Sequence, residues 1–256
     1  MELSKKARST MIQKSLETRE RFPISYFDSR KYIQHNIGLG DGLGPILQLM
    51  DDLPADRTKV TVCRAIEDGD YSVLHADYLL GDWGSMVGFE IHRWEDDRIV
   101  EHWDNLCSTP TEKNASARSM TDGTTEVVDL ERTESNKSLV YEFTQKILID
   151  SELSSLSKYF AGGTFIQHSP NYGDGVQSFE AIVKAWQANG ETAYHRIHLL
   201  LGEGNMVLVV SEGISKNELA AFYDLYRLDN DKIAEHWEVF ETIPPRNTWK
   251  NSNGKF

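Results

Sequence analysis

Two runs of the chain place acids and imidazoles at the spacing of a shared strand face. In FEIHRWEDDRIVEHWD (residues 89–104), strand alternation puts Glu90, His92 and Trp94 on one side before the Glu-Asp-Asp turn. After the turn it puts Val100, His102 and Asp104 on one side, opposite Ile99, Glu101 and Trp103. YDLYRLDNDKIAEHWE (223–238) repeats the pattern with Asp224, Tyr226, His236 and Glu238. Two carboxyls beside an imidazole are what general acid–base chemistry requires. Burial and a neighbouring charge raise the pKa of one carboxyl while the other stays ionised. Alternation alone leaves open which face is inward.

The remaining candidates are weaker. His35 and His168 follow a Gln in YIQHNIGLGDG (32–42) and FIQHSPNYGDG (165–175), where each could cap a helix C-terminus. His75 in VLHAD is a further ligand-binding candidate, although Val209 stands at the matching place in the second half of the chain. Trp103 and Trp237 are expected to face outward and to pack against a neighbouring domain, with Arg93 and Arg227 in ion pairs on the same side. No Gly-x-Ser-x-Gly occurs, and Cys63 and Cys107 sit on or just after strands, so a serine or cysteine nucleophile has no signature. No His-x-His or His-x-x-x-His run with a fixed third ligand appears, and no metal site is expected.

The elements that must position these residues are written twice. His168 lies 133 residues after His35 (168 − 35), and His236 lies 134 after His102 (236 − 102). Copies of this length each need their own core, so the chain reads as a tandem: a first domain over 1–110, a polar linker over 111–137, a second domain over 138–248 and a tail over 249–256. Each copy opens with helical periodicity: Ala7, Met11 and Leu16 in the first, and Leu139, Val140, Phe143, Ile147 and Leu148 in the second. A second helical stretch ends near the Gln-His, and Asp41 or Asp174 of the Gly-Asp-Gly turn is a fair N-cap for a third helix. The period then falls to two, and hairpins follow. Helices first and a mostly antiparallel sheet after is an α+β order, which disfavours a dinucleotide-binding fold.

Composition bounds the partners. Lys and Arg total 27 against 40 Asp and Glu, a formal charge of −13, which repels phosphate backbones and anionic lipid. Neither nucleic acid nor a membrane is expected as a partner. No apolar run approaches the roughly 20 residues that span a bilayer, and both cysteines fall in the first copy, against a disulfide framework. The expected location is the cytoplasm.

The order helix, Tyr-Ile-Gln-His-Asn, Gly-Asp-Gly, helix, hairpin, then Phe-acid-x-x-Arg and Lys-Ile-x-Glu-His-Trp-acid resembles the SnoaL-like polyketide cyclase family of the nuclear transport factor 2-like superfamily. The resemblance covers both copies. It implies two tandem cone-shaped, curved antiparallel sheets, each closed by N-terminal helices, a cystatin-like α+β barrel, with the two domains packed as an internal pseudo-dimer and with room for further homo-oligomers. It implies no cofactor, a small-molecule ligand, and site residues at Glu90, Asp104 and His35 in the first copy and Asp224, Glu238 and His168 in the second; the shared strand faces add His102 and His236 to these sites, and His75, His92, Trp94 and Tyr226 are the residues expected to line the ligand site. The activities implied are aldol-type cyclisation, isomerisation or dehydration; the alternative is a non-catalytic binding or scaffold role, since one fold hosts many functions. The copies differ at Glu90 against Asp224 and at Asp104 against Glu238, and a shift of one methylene is enough to change chemistry that depends on placement.

Overall fold

The computed structural model describes residues 3–256. The chain divides into two compact units, Met1–Thr109 with Pro244–Phe256, and Pro110–Ile243.

In the first unit, helix α1 (Lys5–Thr18) starts at Ser4, whose side chain accepts the Ala7 amide. Its buried face is largely polar, carrying Arg8, Ser9, Gln13 and Ser15 beside Ile12, which is why its apolar periodicity is faint in the sequence. The second helical stretch expected before the Gln-His is a short 3-10 turn over Phe22–Tyr26, followed by a two-residue strand β1 (Ile33–Gln34). Helix α2 (Gly44–Asp52) begins at Leu43 with no side-chain cap, so the expected capping by Asp41 is not seen. Four long strands follow: β2 (Thr58–Asp68), β3 (Tyr71–Leu80), β4 (Ser85–Glu95) and β5 (Arg98–Ser108). The sheet order is β1-β5-β4-β3-β2, with β1 parallel to β5 and the rest antiparallel. The sheet is mixed and open, not a closed barrel.

Two features shape it. The β4–β5 turn has Asp96 and Asp97 at positive φ, the geometry that matches the strand twist in a two-residue hairpin. A bulge then opposes Trp94 to Ile99 and Arg93 to Glu101, leaving Val100 without a partner. The bulge moves Ile99 from the side that simple alternation gives it. Trp94 and Ile99 instead join Ile12, Ile24, Phe27 and Met50 in the core between sheet and helices, where each buried apolar side chain contributes about 2 kcal/mol.

The second unit repeats the plan with α3 (Thr133–Phe143), β6 (Ile166–Gln167), α4 (Val176–Asn189), β7 (Thr192–Glu203), β8 (Met206–Ser215), β9 (Glu218–Asp229) and β10 (Lys232–Thr242). Its sheet order is β6-β10-β9-β8-β7. Phe143, Phe160, Phe165, Phe179 and Tyr226 give it a more aromatic core than the first unit has. Here too Asp174 is no cap: α4 starts at Gly175 without a side-chain cap bond.

The segments expected to be linker and tail are structured. Residues 110–124, after β5, belong to the second unit, where Asn114 Nδ2 lies 2.7 to 3.1 Å from the carbonyls of Gln167, Ser169 and Tyr172. Residues 244–256, after β10, belong to the first unit, where Asn251 Nδ2 reaches the carbonyls of Asn36 at 2.8 Å and Leu39 at 2.9 Å. Backbone that would otherwise need water is satisfied by an asparagine in both units. No helix among the described residues is long and apolar enough to cross a membrane.

Candidate active site

The register sets the site. Glu90 pairs directly with Asp104 across β4 and β5, and Asp224 with Glu238 across β9 and β10, so each acid pair stands on one face. That face is the one under the helices: His92, two residues from Glu90, meets Ser9 of α1 through Nδ1 at 3.0 Å. All four acids are buried.

In the first unit His102 Nε2 lies 2.7 Å from Glu90 Oε2, and Tyr78 donates to Glu90 Oε1 at 2.9 Å. His102 Nδ1 faces Gln34 Oε1 at 2.8 Å. The Asn36 backbone N–H donates to the same Oε1 at 2.9 Å, and Gln34 Nε2 donates to Tyr32, which fixes the amide so that its oxygen faces the ring. Nδ1 must therefore carry a proton. The Nε2 contact to Glu90 then holds one more proton, shared between imidazole and carboxylate. Burial works against the charged ring, but the Glu90 hydrogen bond and charge outweigh it and raise the His102 pKa. Asp104 is raised by its burial and by Glu90, against the opposing pull of Lys255 and His102. Asn36 Nδ2 donates to Asp104 Oδ2 at 2.6 Å, while Asp104 Oδ1 has no hydrogen-bond partner.

The second unit rebuilds this with different side chains. His236 Nε2 lies 2.9 Å from Asp224 Oδ1, and His236 Nδ1 lies 2.9 Å from Gln167 Oε1. Ser169 Oγ donates to Glu238 Oε1 at 2.9 Å. Asn36 with Asp104 has become Ser169 with Glu238: the acid is one methylene longer and its donor is shorter, so the pair still meets. The tyrosine hydroxyl comes from a neighbouring strand, Tyr194 on β7, 3.4 Å from Asp224 Oδ1. Tyr194 pairs with Gly213, where a Cβ would lie 2.1 Å from the Ala193 carbonyl oxygen. Burial and the Asp224 charge lift Glu238 to about 7, although His236, Ser169 and Tyr172 pull the other way. A carboxyl titrating there is matched to proton transfer near neutrality.

Four expected site residues stand elsewhere. β1 pairs Gln34 with His102 and β6 pairs Gln167 with His236, so Gln34 and Gln167 point to the acids and the next residues, His35 and His168, point to the opposite face. There His35 stacks on Trp103 at 4.8 Å and meets Glu101, which also binds Arg93. His168 stacks on Trp237 at 4.9 Å and meets Glu235, which also binds Arg227. Trp103 and Trp237 thus lie opposite the acids as expected, each covered by a histidine of its own unit. Gly123, at φ +93, lets residues 121–124 approach the second cluster, where a Cβ would lie 2.2 Å from Glu235 Oε1. His75 also faces away, stacked on Phe89 at 4.3 Å, because its strand neighbour Leu74 is the residue paired with Glu90. Trp94 is in the core and donates to Ser72 at 2.8 Å, so it supports the face without reaching the acids. His92 stacks on His102 at 5.0 Å and Tyr226 on His236 at 4.6 Å, on the acid side. Burial drives the His92 pKa well below its ordinary value, and Tyr226 is raised well above its own for the same reason.

The sequence reading missed Gln34, Asn36, Tyr78, Gln167, Ser169 and Tyr194. It also missed Lys255, whose Nζ donates to the Asp104 carbonyl at 2.8 Å and stands 3.8 Å from Asp104 Oδ1. Glu90, His102 and Asp104, like Asp224, His236 and Glu238, each bring three donor atoms within 4.8 Å of one another. Imidazole and carboxylate of this kind can hold a divalent cation, although no spacing in the sequence announced it. In the first set the Lys255 ammonium already supplies positive charge.

No family model matches the chain, and no curated protein matches it. Solved structures do. A candidate polyketide cyclase from Acidithiobacillus ferrooxidans is 16% identical with a TM-score of 0.35, over 41% of this chain and 87% of its own. A candidate ketosteroid isomerase from Kribbella flavida is 12% identical with a TM-score of 0.38, over 44% and 84%. A nuclear transport factor 2-like protein of unknown function from Cytophaga hutchinsonii is 18% identical with a TM-score of 0.35, over 46% and 95%. Each of these matches spans 41 to 46% of this chain and 84 to 95% of the other.

Proposed function

We propose that the protein is an enzyme that moves a proton on a small, mostly apolar carbonyl compound, in an aldol-type cyclisation, an isomerisation or a dehydration. The observation that carries this reading is the pairing, in both units, of an acid within hydrogen-bond distance of a buried imidazole and a second acid directly across the strand with a raised pKa. Asp104 and Glu238 are the proton-transferring groups. Glu90 with His102, and Asp224 with His236, hold the neighbouring proton and fix the charge beside them. Gln34 and Gln167 hold the imidazole tautomer, and Asn36 and Ser169 aim the reactive carboxyl. The residues of the opposite face, His35 and His168 among them, are structural.

A nitrobenzisoxazole tests the reading without knowledge of the natural substrate, because ring opening needs only a general base in an apolar setting. Its carbon-bound ring proton passes to the carboxylate, the nitrogen–oxygen bond breaks, and a coloured phenolate forms. The wild type is expected to exceed free acetate by orders of magnitude per carboxylate. Asp104→Asn and Glu238→Gln should each remove the share of one unit, and the double variant nearly all turnover, since general-base terms are worth about 100-fold or more. Turnover untouched by the double variant would leave the binding-module reading in its place.

A further inference from the structure

Among the described residues, Lys255 is the charged group that distinguishes the first acid set from the second. It is 3% exposed, its ammonium stands 3.8 Å from Asp104 Oδ1, and its charge acts on both His102 and Asp104. Burying an ammonium is costly unless something uses the charge.

The ammonium also donates to the Asp104 carbonyl at 2.8 Å, but the end segment is fastened by several other bonds. Residues 250–254 are already held: the Lys250 amide donates to the Ile37 carbonyl, Asn251 to those of Asn36 and Leu39, and Asn253 to the Gln34 carbonyl and Asp41. His35 Nδ1 meets the Gly254 carbonyl at 3.0 Å. The second unit shows the same fastening with its cation elsewhere. There Arg118, four residues after Asn114 as Lys255 is four after Asn251, binds Asp174 at 2.8 Å on the rim, where both are about one-third exposed. Asp174 is the counterpart of Asp41, which Asn253 binds in the first unit. The first unit thus ties its rim with an amide and sends the cation inward to the acids.

We infer that Lys255 is a catalytic cation of the first unit, one that faces the oxygen on which negative charge develops, and that this unit takes carbonyl compounds reacting through an enolate or alkoxide. The inference rests on the acid–base reading above. In the step it describes, Asp104 takes a proton from the carbon beside the carbonyl. The carbon–hydrogen electron pair becomes the carbon–carbon double bond of the enolate, and the carbonyl π pair moves onto oxygen beside the ammonium. The enolate carbon then takes a proton back from Asp104, or attacks a second carbonyl whose alkoxide takes that proton. No oxidant, reductant or co-reactant is consumed. A fixed cation at a developing oxyanion acts with little reorganisation. The second unit has no such ammonium among its described residues near Glu238, so it is matched to proton transfer with less charge on oxygen.

The test uses the full chain carrying Glu238→Gln, so that only the first unit reports, with the nitrobenzisoxazole, whose departing phenolate is an oxyanion. Lys255→Met is expected to lower kcat on the order of 100-fold with little change in KM, and Lys255→Arg to recover part of it, by analogy with loss of one oxyanion donor. Asp104→Asn serves as the loss-of-base reference, and unchanged circular dichroism and thermal unfolding show that each variant folds. A Lys255→Met protein that keeps wild-type kcat while Asp104→Asn loses it overturns this inference and leaves the acid–base reading standing. Equal loss in Lys255→Met and Lys255→Arg, confined to KM, also overturns it, because a cation that only seats the end segment behaves that way. Absence of turnover in the Glu238→Gln parent overturns the acid–base reading for this unit and the inference with it.

Discussion

Asn114→Ala is expected to destabilise the second unit by about 3 to 5 kcal/mol, the summed cost of leaving several buried polar groups without partners. One side chain makes all of the contacts. Its Nδ2 faces three carbonyls, that of Gln167 at the end of β6 and those of Ser169 and Tyr172 on the loop after it, and its Oδ1 accepts the amides of Ser116 at 3.0 Å and Arg118 at 3.1 Å. That loop carries Ser169, the donor to Glu238, so the damage should reach the acid pair. Hydrogen exchange of peptides from 165–175 and from β10 should accelerate, while those from the first unit stay unchanged. Asn251→Ala provides the internal comparison. Its Nδ2 meets only two carbonyls and its Oδ1 one amide, from Asn253 at 3.1 Å, so its effect on the first unit should be smaller. The reverse order of the two effects would show that residues 110–124 do not anchor the second site.

The second large effect is on pH. In the folded state Glu238 titrates at about 7 instead of 4.5, so between those values the folded chain keeps a proton that the unfolded chain releases. Stability is therefore lost as pH rises through that window, by about 3 kcal/mol in all for a shift of this size. Glu235, on the opposite face, works the other way. Burial opposes its charge, but hydrogen bonds from His168, Arg227 and Thr124 prevail and lower it to about 2 from 4.5. Its contribution is present above 4.5 and is lost as pH falls toward 2. The second unit should therefore be most stable at about pH 4.5 to 5, with losses on both sides. Denaturant unfolding across the range should show the neutral-side loss flattened in Glu238→Gln and the acid-side loss reduced in Glu235→Gln. A Glu238→Gln curve parallel to wild type from about pH 5 to 8 would reject the raised carboxyl.

Much of the fold was legible because its signals are local. Helical spacing in Leu139–Leu148 and alternation in the two hairpins each reflect which side chains a single element must bury, and the doubling of the Gln-His, Gly-Asp-Gly and Glu-His-Trp runs marks the tandem. The acid face was legible too: Glu90, His92, His102 and Asp104 keep their parity because the β4–β5 bulge lies beyond them, at Val100. What failed depended on a pairing. The chain quotes Gln-His twice, and which of the two residues faces the acids is decided by a two-residue parallel strand too short to announce itself. A signal for the end segments existed: Thr-x-Lys-Asn occurs at 111–114 and again at 248–251. Short and polar, it reads as linker until its asparagine is seen closing a loop. Lys255 had no signal, because nothing in its neighbours sets its direction.

The end segment of the first unit can finally be viewed as a tethered ligand. Residues 244–256 reach the first sheet only after the whole of the second domain has been written, so the ammonium beside Asp104 is bound with an effective concentration set by the chain. Tethering of this kind replaces the free-peptide concentration by a local one, on the order of millimolar for a short flexible linker. A single cut near Pro244 would turn a first-order docking into a second-order one, and the charge of the first acid set would then depend on peptide concentration. Supplying the peptide in trans to a cut protein would make that dependence a titration curve.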